Sequence, residues 1–448
     1  MPTTPSALPR RPSRRTFLDR GLKLTMGIGG GLATASFLES CGPSTAAVAP
    51  TPPPGATVIR SLLFDQVGYD PSVLQALARD FQALHDNKVF VSIETAHYRE
   101  LYDSILAAGL SKPSPYDVVA VDQVWVPEFS ARKQLLNLKD QIPDDARSDL
   151  MPNLIDAFSY QGTTWAMPHV LNVQSLYYNK AHLRSAGFAM PPKTLEEWYE
   201  QMTALRSRQT PYTDSWAEGE GLVSDFVRTA AQFGGDLFDA AGKPQLLTQP
   251  VQRAAAFMRQ LIDEHLVRAE IGASNEPDAM RAFLAGSVSY TTNWNFVFGA
   301  MNDPVYSQII GEASVAAIPA AASTGRPAAS VSGFMGLAVL ANSQHTELAA
   351  TWLRYLTSPQ VQAQQPSQLP IWTSLQNSSE VRHANPQIDV FLTNMANARP
   401  RPKLTHYVEA SSVIQRHLHD LVIGATSAAG AMSAAQAELV ALRARWSS

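Results

Sequence analysis

The sequence predicts an α/β fold organised into more than one domain. Apolar strand patterns over 58–64, 89–94 and 116–121 alternate with helical periodicity over 71–85 and 101–108. This alternation is typical of parallel strands whose connecting helices cover the sheet. An N-terminal export signal, described below, leaves about 400 residues, more than one hydrophobic core usually organises. We therefore expect two domains, the first of them an α/β domain.

The later elements follow from the same signals. The region 183–299 is expected to be mostly helical, and Thr194 is a suitable N-cap for one of its helices. Beyond this region, short apolar runs indicate further strands and a Ser-Pro pair ends a helix. The predicted helices cover 195–206, 251–265, 277–285 and 346–356, and the predicted strands cover 314–319 and 336–340.

Polar residues follow the first three predicted strands. Asp65 and Gln66 follow the first strand, Thr95 follows the second, and Asp122 follows the third. Ligands of open α/β sheets bind beyond the carboxyl ends of the strands. The sequence therefore predicts a polar binding edge at this side of the first domain.

The first forty residues predict export. Arg14 and Arg15 form a twin-arginine pair, and the apolar stretch over 21–38 contains several glycines and Lys23. A stable transmembrane helix needs about 20 strongly apolar residues, so this segment indicates a cleaved signal rather than a permanent anchor. Cys41, the only cysteine, follows a lipoprotein-type cleavage sequence in which Glu39 replaces the usual small or apolar residue.

These features predict a lipid-anchored protein on the outer face of the cytoplasmic membrane. Residues 1–40 are interpreted as a Tat-type lipoprotein signal, Cys41 as the lipidated residue, and the Pro-rich stretch 41–56 as a tether. The single cysteine excludes an internal disulfide framework.

The charge balance excludes a nucleic-acid binder. The whole chain has a formal net charge of −4, and its signal holds more basic than acidic residues, so the mature chain is more acidic still. Nucleic acid requires a basic surface. An acidic surface of this kind is typical of a soluble monomer, and we expect no cofactor and no metal.

An ordered set of motifs resembles the extracellular solute-binding proteins of sugar ABC transporters, and within them the trehalose/maltose-binding branch. The resemblance covers nearly all of 58–400. It is carried by residues 116–119, Asp122, Trp125, 162–168, 177–180, 191–198, 283–286, Trp294, 333–339, 349–353 and 369–370.

The resemblance implies a two-lobed, type II periplasmic-binding-protein-like fold with a ligand cleft between its lobes. One lobe would comprise 57–167 plus 314–363, and the other 168–313 plus 364–448. Pro168 and the residues near Ala313 and Gln364 would then be hinges. The implied function is capture of a di- or oligosaccharide by hinge closure and its delivery to ABC permease subunits.

A sugar site needs aromatic faces that stack on C–H surfaces and polar groups that bind hydroxyls. Trp294 is the preferred stacking platform. Asn172 stands where relatives often carry aspartate, and Trp372 where they often carry arginine. For Asp122, Trp125, His169 and Trp294, a structural role as a cap, core or hinge residue remains the alternative. The candidate ligand-binding residues are Asp65, Gln66, Asp122, Trp125, His169, Asn172, Trp294, Gly333, Phe334 and Trp372.

Two other functions remain open. An exported carbohydrate-active enzyme would need two carboxylates flanking the scissile bond, but no spacing supports such a pair. The sequence contains neither a Gly-x-Ser-x-Gly nor a His-Glu-x-x-His motif, so an enzyme is not expected. The other alternative is a binding protein for a non-sugar solute such as a polyamine or phosphate ester.

Overall fold

The computed structural model describes residues 51–65, 71–142, 144–365 and 368–446. The predicted signal, Cys41 and Gln66 lie outside the described residues, as does most of the predicted tether. From Pro52 onward, the described chain forms one compact unit. None of the helices in the described ranges has the length and apolar character that crossing a membrane requires.

The strands of the described chain are short, and most are buried. In chain order they are β1 (Thr57–Phe64), β2 (Val89–Ala96), β3 (Val118–Asp122), β4 (Ser159–Tyr160), β5 (Thr163–Thr164), β6 (Met167–Val170), β7 (Gln174–Asn179), β8 (Thr210–Thr213), β9 (Val288–Trp294), β10 (Ala313–Ala316), β11 (Ser330–Ser332), β12 (Met335–Val339) and β13 (Ala398–Pro400).

The α-helices cover both sheets. They are α1 (Pro71–Leu84), α2 (Tyr98–Leu110), α3 (Val126–Ala131), α4 (Asp144–Asp149), α5 (Pro152–Ala157), α6 (Lys180–Ser185), α7 (Leu195–Leu205), α8 (Glu220–Gln232), α9 (Gln249–Asp263), α10 (Glu276–Leu284), α11 (Phe296–Ala300), α12 (Thr346–Leu356), α13 (Pro359–Ala363), α14 (Thr373–Gln376), α15 (Ser379–Ala384), α16 (Ile388–Ala396), α17 (Tyr407–Val422) and α18 (Ala428–Trp446).

The first lobe is built on a five-stranded sheet with the order β2-β1-β3-β12-β6. β1 pairs in parallel with β2 and β3, whereas β12 runs antiparallel to β3 and β6. Every residue of β3 is buried, as expected for a strand covered on both faces. Trp352 of α12 packs 4.9 Å from the Phe81 ring and donates to Ser61 Oγ at 2.9 Å, which fixes two covering helices on β1.

The second lobe is built on a four-stranded sheet with the order β10-β7-β9-β8. β7 runs antiparallel to β10 and β9, and β8 is parallel to β9. Trp198 of α7 packs edge-on against Tyr212 and Tyr290, with ring centroids 5.1 and 6.1 Å away. These contacts bury the face of the sheet that α7 covers.

Two segments that connect the lobes run side by side. Residues 171–173 lead from β6 to β7, and residues 333–334 lead from β11 to β12. The Gly333 N–H donates to the Asn172 carbonyl at 2.9 Å, and Val173 pairs with Ser332 in an antiparallel bridge. We call this hydrogen-bonded pair of connections the crossing.

The sheets place three segments differently from the predicted lobe boundaries. β6 joins the first sheet although the second lobe was expected from residue 168, and β10 pairs with β7 in the second sheet although 314–363 was assigned to the first lobe. Trp372 pairs with Leu150 of the first lobe, although 364–448 was assigned to the second. A strand pattern reports burial, but it does not report which sheet the strand joins.

The predicted elements of the first lobe agree with the observed ones to within a few residues. In contrast, the region 183–299, which we expected to be mostly helical, also contains β8 and β9. β7, which lies just before this region, was not predicted either. The second sheet was therefore largely missed.

Candidate ligand-binding cleft

A cleft of about 520 Å³ lies between the two lobes. The first lobe contributes the ends of β1 and β3 and the start of α2, and the second contributes the starts of α8 and α10 and the end of β9. The crossing forms part of the wall. The residues that line the cleft include Phe64, Asp65, His97, Tyr98, Asp122, Asn172, Ser215, Glu218, Glu220, Gly221, Glu276, Trp294, Phe296, Gly333 and Arg401.

Trp294 is held in the cleft by the crossing and by α10. A Cβ at Gly333 would lie 2.8 Å from the Trp294 Cη2 atom, so only glycine leaves room for the ring at this position. The indole N–H lies beside the Glu276 carboxylate. Trp294 is half-buried, which leaves part of its ring facing the cleft.

Arg401 joins the two lobes at the wall of the cleft. Its Nη2 donates to both carboxylate oxygens of Asp122 at 2.7 Å, and its Nη1 donates to Glu220 Oε1 at 2.8 Å. The Tyr98 hydroxyl donates to Asp122 Oδ2 at 2.7 Å. Burial alone would lower the pKa of the Arg401 guanidinium, but Asp122, Tyr98, Tyr407 and Glu220 together outweigh burial and raise the pKa. Arg401 therefore stays charged and satisfies one carboxylate from each lobe.

A buried polar network supports the second-lobe wall behind Ser215. Arg228 Nη2 donates to Asp214 Oδ2 at 2.5 Å, and both side chains are almost completely buried. The backbone N–H and hydroxyl of Ser215 donate to Asp225 Oδ2 at 3.1 and 3.0 Å. Burial and the neighbouring Asp214 raise the pKa of Asp225 well above its ordinary value. This network fixes the loop that presents Ser215 to the cleft.

Five of the predicted site residues line the cleft. Asp65, Asp122, Asn172, Trp294 and Gly333 come from both lobes and the crossing, and the fold brings them together at the cleft. Asp122 differs from the expectation in one respect, because its oxygens already accept hydrogen bonds from Arg401 and Tyr98.

Four other predicted site residues do not line the cleft. Trp125 and Phe334 are each 2% exposed and belong to the core, where the Trp125 ring packs 4.7 Å from Tyr98 and supports it. His169 lies in β6, where burial lowers its pKa to about 4. Trp372 packs in the first lobe and donates from its indole N–H to the Thr357 carbonyl at 2.9 Å. Aromatic residue type alone could not separate these buried positions from Trp294.

Sequence reasoning missed Tyr98, Glu220, Glu276, Phe296 and Arg401, all of which line the cleft. For two of these residues, the sequence contains a local pattern that marks the start of a helix. Glu220 follows Gly219 and Glu276 follows Asn275, and each begins a helix whose N-terminus faces the cleft. Arg401 stands in a Pro-rich stretch and had no such signal. Among the described residues, no group of three or more His, Cys, Asp or Glu side chains could hold a metal ion.

Two α/β lobes, paired crossing segments and an aromatic and acidic cleft between them define a two-lobed binding protein. Residues 67–363 match the family described as bacterial extracellular solute-binding protein, and the chain belongs to this family. The predicted fold and the family resemblance are thereby confirmed. The family consists of exported binding proteins rather than enzymes.

Individual relatives agree with this assignment. The chain is 27% identical over 359 residues to a probable ABC transporter-binding protein of Deinococcus radiodurans, covering 77% of this chain and 83% of that one. It superposes on maltose-bound MalE3 of T. maritima with a TM-score of 0.79 and 26% identity, covering 86% of this chain and 100% of that chain. The GacH receptor of Streptomyces glaucescens shares the fold, with a TM-score of 0.73 and 23% identity over 85% of this chain and 97% of that chain.

Proposed function

We propose that the protein is an extracytoplasmic substrate-binding protein that captures a carbohydrate in the interlobe cleft and delivers it to the permease of an ABC transporter. The ligand is a di- or oligosaccharide of the trehalose or maltose type. The observation that carries the proposal is the half-buried Trp294 ring, seated on Gly333 within a cleft of about 520 Å³. This is the size range of small-molecule sites.

The lining of the cleft suits a sugar. Trp294 and Phe296 offer aromatic faces on which the C–H surface of a pyranose ring stacks. Asp65 and Asn172 supply acceptors and, in the amide, donors for hydroxyl groups. Because these groups come from both lobes and the crossing, a bound sugar would contact every part of the wall at once. That arrangement favours closure of the lobes over the ligand.

Similar proteins support the same ligand class. The T. maritima MalE3 structure contains maltose, and the Streptomyces GacH receptor has been solved with acarbose. The Deinococcus relative is described as an ABC transporter-binding protein, which supports an ABC permease as the partner.

The ligand proposal is tested by titrating the purified mature protein with maltose, trehalose and longer α-glucosides. Binding is followed by calorimetry and by tryptophan fluorescence, since Trp294 lines the cleft. We expect saturable binding to at least one sugar. A folded protein that responds to none of a broad sugar panel would contradict the carbohydrate assignment but not the family.

The anchoring proposal rests on the sequence. Cys41 is proposed to carry lipid after removal of 1–40, with the Pro-rich residues 41–56 as the tether. Metabolic labelling with a fatty acid should mark the wild-type protein and not the Cys41→Ala variant. Equal labelling of both proteins, or of neither, would contradict lipidation at this residue.

A further inference from the structure

The cleft carries more negative charge than a neutral sugar requires. Its described lining includes five carboxylates, one guanidinium and one imidazole. Some of these carboxylates have a basic partner in the protein and others do not. A carboxylate without such a partner is the best candidate to bind a charged group of the ligand. The carboxylates are those of Asp65, Asp122, Glu218, Glu220 and Glu276.

Two of the carboxylates are satisfied by the protein, and a third lies beside an imidazole. Asp122 and Glu220 share Arg401, at 2.7 and 2.8 Å. Glu220 also accepts hydrogen bonds from Tyr407 and Ser411, and Asp65 lies 3.3 Å from His97. Asp122 and Glu220 therefore have little capacity left for a charged ligand, whereas the side chain of Asp65 is 47% exposed and solvent screens its charge.

Glu276 is different because no basic side chain is paired with it in the described chain. It is the first residue of α10, and its own backbone N–H and the Trp294 indole lie close enough to its carboxylate to oppose the rise of its pKa. Burial raises the pKa of Glu276, and Asp214 and Glu220 face it and raise the pKa further. Glu218, in contrast, is largely exposed and lies 3.9 Å from His419, so solvent screens its charge.

Gly221, near the start of α8, lets this carboxylate lie close against the helix backbone. A Cβ at Gly221 would lie 2.8 Å from Glu276 Oε1, closer than a side chain can approach without moving it. Glu276 thus sits between the N-terminus of α8 and the edge of Trp294. Glu276 is half-buried, and a carboxylate withdrawn from water is stabilised by a cationic partner.

We infer that the ligand of this cleft carries a protonated amine, and that Glu276 receives it while Trp294 stacks on the ring that bears it. The inference rests on the proposed function and narrows its substrate class to amino sugars. An ammonium group beside Trp294 also gains cation–π attraction. A free polyamine shares the charge but offers no ring to stack, so the aromatic lining favours a saccharide.

The experiment compares sugars that differ only by one or two amines in place of hydroxyls. The pairs are chitobiose with cellobiose, and trehalosamine with trehalose, and spermidine is the polyamine arm. Titrations run near pH 7, where exposed carboxylates are ionised. In at least one pair, we expect the amino sugar to bind about tenfold or more tightly than its hydroxyl partner.

Variants assign the preference to Glu276. Glu276→Gln keeps the shape and should remove the preference for the amine. Gly221→Ala displaces the carboxylate without removing charge and should reduce the preference. Glu312→Gln removes a carboxylate that pairs with Arg184 away from the cleft lining, and should behave as wild type.

The outcomes distinguish a failure of the amino-sugar inference from a failure of the proposed sugar-binding function. Equal binding within both pairs, a preference that survives in Glu276→Gln, or tight binding of spermidine with no amino-sugar binding would overturn the inference. Survival in Glu276→Gln would show that the preference does not depend on the charge of Glu276. Absence of binding by every sugar, amino or neutral, would instead contradict the proposed function.

Discussion

The two lobes bury their sheets by different means. In the first lobe, β3 and β12 are continuous apolar runs in which nearly all burial is hydrocarbon. In the second lobe, β9 is just as buried up to Trp294, but it carries Ser289, Thr291, Thr292 and Asn293 inside. Behind it, Arg228 pairs with Asp214 at less than 5% exposure of either side chain.

This contrast indicates that the lobes draw their stability from different sources. The stabilisation that apolar burial gives is proportional to the buried area, and it tolerates modest rearrangement of the side chains. A buried polar network stabilises only when each donor and acceptor has its partner, because an orphaned group pays its full desolvation cost. The lobe that supplies Glu220, Glu276 and Trp294 is therefore the one more sensitive to loss of a single polar atom.

The strongest test of the contrast is Arg228→Met. It leaves Asp214 buried without its cation and should lower the free energy of unfolding by about 3–5 kcal/mol. Urea denaturation followed by circular dichroism measures the change. The matched control is Arg184→Met, which breaks the exposed Arg184–Glu312 pair and should cost about 1 kcal/mol or less. Equal losses in both variants would contradict a special role for the network.

The matching test in the first lobe is Leu337→Ala. Leu337 is fully buried in β12, and the substitution should cost about 2–5 kcal/mol through lost transfer free energy and the cavity left behind. Val305→Ala, at an 81% exposed position, is the control and should change stability by about 0.5 kcal/mol or less. A loss below that of the control would mean that the first-lobe core repacks freely.

The cleft itself is tested by Trp294→Ala. Loss of the stacking face should weaken binding of the identified sugar by about 1–3 kcal/mol, and Trp294→Phe should recover part of the loss. Calorimetry measures the affinity, and circular dichroism checks that the fold is intact. Unchanged affinity in a folded variant would make Trp294 a packing residue.

The smallest change in the free energy of unfolding is expected from Asp225→Asn, and the sign of this change depends on pH. Because the pKa of Asp225 is raised by burial, the folded state keeps its proton while the unfolded state loses it above the ordinary value of 3.8. Wild-type stability should therefore fall as pH rises above that value, and the variant should lack this loss. We expect stabilities within about 1 kcal/mol near pH 5 and a more stable variant near pH 8. A variant less stable than wild type at both pH values would show that Asp225 is ionised in the fold.

The same contrast explains what the sequence could predict. β1, β2, β3 and β12 were found because their apolar runs identify a buried strand. β9 was missed because Tyr290 to Asn293 read as polar, and only the partners supplied by distant residues make that polarity compatible with burial. Charge networks are assembled from residues far apart in the chain, so one sequence does not reveal them.

The candidate site, like the fold, was predicted only where a local sequence pattern marks the residue. Asp65 and Asp122 were located because they end strands of a readable sheet, and Trp294 and Gly333 because their motifs resemble those of the family. Arg401 reaches Asp122 across 279 positions of sequence, a contact that no local pattern encodes. Trp125, Phe334 and Trp372 show that an aromatic residue near a site is as readily used to support a wall as to form its surface.

The crossing has a consequence for how affinity is measured. Asn172 and Gly333 line the cleft, and their backbones are hydrogen-bonded to each other where the chain must flex if the lobes move. A substitution in the crossing changes the fraction of molecules whose lobes are closed, and it also changes the contacts with the ligand. The apparent dissociation constant is the intrinsic one divided by the closed fraction, so variants of the crossing report a product of two equilibria. Rates of association and dissociation, measured together, are needed to separate them.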